Sequence, residues 1–242
     1  MRITIVGQGN VACNLQHAFE KNGVHSAMVS SRVGLDTIPE SDVYIYAVRD
    51  EALAEVVAQV HVPERALHLH TSGTMPMSVF GEDKPHAGIL YFFQSFSKSR
   101  LIDDFTTIPV FIEGRNIDDI SAIYTLAQTL TPRIYEANQH DRERLHIAGV
   151  FANNFANEMY AIAADMLRDT HIPFKALLPL IDQTAEKIHT LTPQQAQTGP
   201  ARRGDENVMQ HHIALLPNDE LRTLYRLVSK LIQQGNCTNI VR

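Results

Sequence analysis

Apolar residues gather in short runs through the first half of the chain and recur at helical intervals through the second. Residues 1–6 (M-R-I-T-I-V) form a β-branched run that predicts a strand, and Val11, Leu15, Ala18 and Phe19 then repeat at the spacing of an amphipathic helix. Residues 24–30 predict a second strand, and the continuous run at 43–48 (V-Y-I-Y-A-V) a third one buried on both faces. A helix follows over 50–60 with Asp50 as its N-cap. Further strands are expected at 66–70, within 86–98 and at 108–113, then a helix over 117–130 with Asp118 and Asp119 in its first turn, and an edge strand at 133–136. Only residues 33–42, broken by Gly34 and Pro39, join the second strand to the third, too few for a full crossover helix. Beyond about residue 137 the strand signals stop. Helices are expected over 140–169, 174–191, 205–216 and 218–234, with Pro173 opening the second, Pro217 dividing the last two and Gly235 closing the series.

The junction of the first strand and helix reads Gly7-Gln8-Gly9-Asn10-Val11-Ala12, a G-x-G-x-x-A turn. Gly7 permits the tight turn, Gly9 carries no Cβ to hold a diphosphate off the backbone, and Ala12 lets helix and strand pack closely. The N–H groups and positive end of the helix then face a pyrophosphate. The alternative, a tight turn that binds nothing, is less in keeping with its place at the head of a βαβ unit. The fold class is therefore α/β: a Rossmann-type doubly wound sheet in residues 1–137, followed by an all-helical domain in residues 138–242, with a cleft between them. The second strand ends in Ser30-Ser31-Arg32, with no acid for a ribose 2′-hydroxyl. Ser31 and Arg32 suit a 2′-phosphate and so NADP, unless Arg32 is merely a solvated loop residue. Val48 and Arg49 leave the third strand at its carboxyl end and are expected beside the cofactor.

Net charge narrows the partners. At −6, the chain lacks the clustered positive charge of a nucleic-acid or anionic-membrane surface, and no apolar run is long enough to span a bilayer. Its strand start at residue 2 leaves no room for a signal peptide, and Cys13 and Cys237 stand in no metal-like spacing, so a cytoplasmic protein with free thiols is expected. His68 and His70 alternate onto one strand face without a third ligand, so no metal is assigned.

Two further stretches carry candidate chemistry. Along the first long helix, His146, Asn153 and Asn157 share a stripe with Asn154 on its flank. Such groups need a partner, because unpaired burial costs roughly 1–3 kcal/mol each, and that partner could be a ligand, a neighbouring helix or a dimer mate. The loop Thr198-Gly199-Pro200-Ala201-Arg202-Arg203-Gly204-Asp205 presents two arginines in an acidic chain, either as surface residues of an ordinary turn or to grip a substrate carboxylate.

Six elements appear in a set order: Gly7-x-Gly9-x-x-Ala12, Ala47-Val48-x-Asp50, His70-x-Ser72-Gly73, Tyr91-x-x-Gln94-Ser95-Phe96, His146-x-Ala148-x-Val150-Phe151-x-x-Asn154 and Thr198-Gly199-Pro200-x-x-Arg203-Gly204-Asp205. Together they resemble the Rossmann-like NADP-binding oxidoreductases with an uncharacterised helical C-terminal domain, relatives of 6-phosphogluconate dehydrogenase, pyrroline-5-carboxylate reductase and ketopantoate reductase. The resemblance spans nearly the whole chain. It implies a helical dimerisation domain, hence a homodimer, and a site for a small carboxylic acid, with ketopantoate one candidate. Ser72, Gln94 and Arg203 would bind the substrate, His146 would act as general acid and Asn154 would orient the substrate. The better-known relatives carry a lysine one turn before that asparagine; here the position is Val150. Many members of the group also show His-Pro where this chain has Tyr91-Phe92. The resemblance thus implies a reductase of a small carbonyl or imine acid, and the missing lysine keeps open a non-catalytic NADP-binding sensor or interaction protein.

Overall fold

The computed structural model describes residues 1–32 and 34–235; Cys237 lies outside the described residues. Seven strands form one sheet in the order β2-β1-β3-β4-β5-β6-β7: β1 (Ile3–Val6), β2 (Ser26–Val29), β3 (Val43–Tyr46), β4 (Leu67–His70), β5 (Ala87–Phe92), β6 (Val110–Gly114) and β7 (Ile134–Glu136). Every pair is parallel except β5 with β6. The chain leaves β2 and crosses to the far side of β1 to make β3, so the switch point of the sheet lies at the ends of β1 and β3. This crossing contains a single 3₁₀ turn, Leu35–Thr37, in place of a helix, as its length dictates.

Alternation along the strands sends residues to two cores. Ile3, Ile5, Val43, Ile45, Leu67 and Leu69 pack beneath α1 (Asn10–Lys21) and α3 (Ile117–Gln128). Val6, Tyr44, Tyr46 and Phe80 pack on the other face with α2 (Asp50–Gln59). His68 and His70 belong to this second face and are buried. The His68 Nδ1 lies 2.9 Å from the Tyr46 hydroxyl, and both rings stack on aromatic neighbours. Desolvation lowers each histidine to about 4.

Two local expectations are corrected. Arg49, not Asp50, occupies the cap position of α2, and Asp50 is the first helical residue; its carboxylate instead accepts a hydrogen bond from the Thr74 hydroxyl. The stretch around Arg203 is no plain loop: Pro200–Arg203 makes one helical turn (α8), started by proline and closed by Gly204 in the left-handed region at φ 69°.

Beyond β7, α4 (Gln139–Gly149), a π-helical stretch (Val150–Phe155) and α5 (Ala156–Met166) form one unbroken helix. Arg142 in its first turn is fully buried, paired with Glu113 of β6, and donates to the carbonyls of Met75 (3.0 Å) and Ala137 (3.4 Å). This tethers the start of α4 to the sheet. The chain divides into two compact units, residues 1–160 and 161–242, with the boundary inside α5. The second unit holds α6 (Leu178–Lys187), α7 (Pro193–Ala196), α8, α9 (Glu206–Leu215) and α10 (Asp219–Gln234), with Asp205 and Asn218 capping the last two through their side chains. Among the described residues no helix is long and apolar enough to cross a membrane.

Candidate functional site

At the switch point of the sheet lies a cavity of about 840 Å³. Gly7 makes it: its φ is +131°, and a Cβ there would stand 2.3 Å from the Ala47 carbonyl oxygen, so only glycine lets the ends of β1 and β3 meet. At Gly9 an added Cβ would find nothing nearer than that same oxygen at 3.8 Å. The protein itself therefore leaves the space above Gly9 open. Asn10 and Val11 begin α1 over this cavity, while Ala12 is fully buried beneath it and serves the packing of helix on strand.

Ser30, Ser31 and Arg32 line the cavity after β2, and Val48 and Arg49 line it after β3. Lys98, which the sequence reading did not assign to the cofactor, lines it too. Asn14 brings it there: this buried side chain donates to the carbonyls of Asn10 (2.9 Å) and Ser97 (3.0 Å) and accepts from the Ile102 amide (3.0 Å), pinning the loop of residues 97–102 to α1. Arg32, Arg49 and Lys98 have no ion pair among the described residues. Three cations, two serine hydroxyls and an open helix N-terminus form a donor set that fits a phosphate-bearing dinucleotide.

Val11, Val48 and Thr71 are shared with a second cavity of about 280 Å³, whose wall continues through Asp50, Ser72, Gly73, Tyr91, Gln94 and His146. Tyr91, Gln94 and His146 in turn border a third, of about 350 Å³, lined also by Asn153 and Asn154. The predicted residues Ser72, Gln94, His146 and Asn154 thus meet along one run of connected walls within the first unit. Asn157 does not line these cavities. The i→i+5 bonding of the π-helical stretch resets the helical register, so that Asn154 joins Asn153 on the cavity wall where an ideal 3.6-residue count favours Asn157.

The Tyr91 hydroxyl lies 3.1 Å from His146 Nδ1, an arrangement sequence reading missed because β5 and α4 meet only in the fold. Burial, then the carboxylate of Asp50, pushes the Tyr91 hydroxyl up to about 12. Ser72 is partly committed to its own turn, its Oγ accepting from the amides of Thr74 (3.1 Å) and Met75 (3.0 Å). The Gln94 Oε1 accepts from the Ser95 amide, which leaves the Gln94 NH₂ group free to donate. Arg203 belongs to the second unit; it is exposed at the end of α8 and has no ion pair among the described residues.

A mostly parallel sheet with a glycine turn at its switch point, followed by helices, defines a Rossmann-type protein with a helical C-terminal region. Residues 108–232 match the family described as a domain of unknown function (DUF2520), and the chain belongs to that family. A solved structure from Bacteroides fragilis, which carries a provisional NADP oxidoreductase assignment, is 37% identical with a TM-score of 0.90 over 96% of this chain and 98% of its own. A Thermotoga maritima protein shares the fold at 16% identity (TM-score 0.72, 99% of this chain and 100% of that one). So does a reductive aminase from Aspergillus terreus, solved with NADPH and ethyl levulinate, at 13% identity (TM-score 0.65, 97% of this chain and 94% of that one). No curated protein matches the sequence.

Proposed function

We propose that this protein is an NADP(H)-dependent oxidoreductase that reduces a small carbonyl or imine carboxylic acid. The observation that carries the reading is the continuity of the cavity walls, from Ser31 and Arg32 past the glycine turn to Tyr91, His146 and Asn154. Gly7, Gly9, Asn10 and Val11 would hold the diphosphate, Ser31 and Arg32 the 2′-phosphate, with Val48 and Arg49 beside the cofactor on the β3 side. When bound, the reduced nicotinamide supplies the hydride. The chain's own residues do the rest: His146 is the source of the proton, Asn154 orients the substrate, and Arg203 is the cation we assign to its carboxylate. The provisional assignment of the Bacteroides fragilis relative and the NADPH-bound reductive aminase support the class of reaction.

One observation favours a second reading. Val150 lines the third cavity, so the position held by a lysine in the better-known relatives offers no acid here, as in a protein that binds NADP without catalysis. The deciding experiment is calorimetric titration with NADPH and NADH, then NADPH oxidation against a panel of 2-oxo acids and cyclic imines. Tight NADPH binding with turnover supports the enzyme. Tight binding with no turnover across the panel supports the second reading, and equal affinity for both cofactors removes the NADP preference.

A further inference from the structure

Tyr91 is the residue around which the substrate end of the site is fitted. An added Cβ on Gly73 would stand 2.8 Å from Tyr91 Cζ, 3.0 Å from its hydroxyl and 3.0 Å from His146 Nδ1. The loop after β4 is thus cut back to a bare glycine where the phenol and the imidazole meet. Both rings border the second cavity, which shares Val11, Val48 and Thr71 with the dinucleotide cavity, and both border the third, with its asparagines.

We propose that Tyr91 is the catalytic residue that hands the proton to the substrate's carbonyl oxygen or imine nitrogen, and that His146 reloads it through Nδ1. The proposal rests on the oxidoreductase reading above. A hydroxyl is the one side-chain group here that can accept a proton from Nδ1 while giving its own away. The half-buried phenol keeps its proton at neutral pH, and its phenolate is costly in this setting, so it needs a donor at hydrogen-bond distance. The balance closes. A bound reduced nicotinamide would supply the hydride of the new C–H bond, while the π pair of the C=O or C=N bond takes the proton as the Tyr91 O–H bond breaks. The His146 Nδ1–H bond then breaks as that O–H bond re-forms. As the His146 ring gives up its Nδ1 proton it takes one from water at Nε2, through the open cavity.

The test uses the full chain, as wild type, Tyr91→Phe and Gly73→Ala, with 1-pyrroline-2-carboxylate and ketopantoate as probes. For Tyr91→Phe we expect an NADPH Kd within about threefold of wild type, a KM little changed, and a kcat lower by ~10²–10⁴-fold. Gly73→Ala keeps both functional groups but forces them apart, and should lower kcat without weakening NADPH binding. A readout free of turnover is the ¹⁵N–¹H spectrum of histidine-labelled protein, in which Tyr91→Phe should move the His146 Nδ1 resonance. A loss of kcat under ~10²-fold in Tyr91→Phe, an unmoved Nδ1 resonance, or parallel losses in kcat, KM and NADPH affinity would each overturn the proposal while leaving the oxidoreductase reading intact. A wild-type protein that binds no NADPH, or binds it and turns over neither probe, removes that reading and this proposal with it.

Discussion

The two compact units treat their apolar residues in opposite ways. In residues 1–160 the strands are walled by helices, and all the largest fully buried side chains belong there, among them Tyr44, Tyr46, Phe19 and Phe80. In residues 161–242 only Ala201, Met209 and Ile213 are buried hydrophobics among the described residues, while Leu180, Ile188, Leu215, Leu227 and Leu231 are each more than half exposed. The long helix adds an exposed stripe of Ile147, Phe151, Phe155 and Met159 at four-residue spacing. The sheet of the first unit therefore satisfies its own hydrophobic pattern, whereas the long helix that ends that unit and the helices of the second leave apolar faces uncovered. We propose a second copy of the chain as the cover for these faces, since C2 pairing is the commonest assembly.

The largest expected effect breaks that contrast directly. Light scattering at micromolar concentration should give twice the monomer mass, and Leu180→Asp combined with Leu231→Asp should convert the protein to monomer or aggregate, because two charges would enter a desolvated interface. A monomeric parent protein would end the dimer assignment.

Acid should then find the first unit. Burial, seconded by the positive charge of Lys84 for His68 and of Arg142 for His70, lowers both histidines to about 4, against 6.5 in the unfolded chain. Above pH 6.5 neither state binds a proton there, and the full stability is present. Between 6.5 and about 4 only the unfolded chain takes protons up, so stability should fall by up to about 1.4 kcal/mol per pH unit for each histidine. Denaturant midpoints at fixed protein concentration from pH 7 down to 4.5 would show it, and His68→Gln should lessen the slope.

Chemistry separates the units next. His146→Ala, in the first unit, should lower kcat by ~10²–10⁴-fold with little change in KM. Arg203→Ala, in the second, should chiefly raise KM for the acid substrate, because it removes binding common to ground and transition states. Steady-state kinetics on both variants would tell; a kcat loss in Arg203→Ala with KM unchanged would contradict the carboxylate assignment.

The smallest effect tests whether the first unit's cavity chooses its cofactor unaided. Arg32→Asp should weaken NADPH by ~10–100-fold and leave NADH nearly unchanged, since only a 2′-phosphate meets the reversed charge. Calorimetry on both cofactors checks it.

Sequence alone determined whatever depends on neighbours a few residues away. Gly7-x-Gly9-x-x-Ala12 announced the turn, the run at 43–48 announced β3, and Gly235 announced the end of α10, where it adopts φ 62°, because each is a local backbone or packing requirement. Even the missing crossover helix was legible, as a matter of chain length. Tertiary structure alone decided the rest. Arg142 looks like an ordinary helix-entrance charge until Glu113 of β6 meets it and it is fully buried. Asn154 joins the wall of the third cavity because the helix takes a π register at Val150–Phe155, and Lys98 reaches the cofactor cavity because Asn14 holds its loop. Tyr91 and His146 stand 55 residues apart, and nothing in the spacing of either predicts the other. Their contact exists because β5 enters the sheet beside β4, Arg142 ties α4 to β6, and Gly73 leaves no side chain between them; long-range packing of this kind leaves no periodic trace in a sequence.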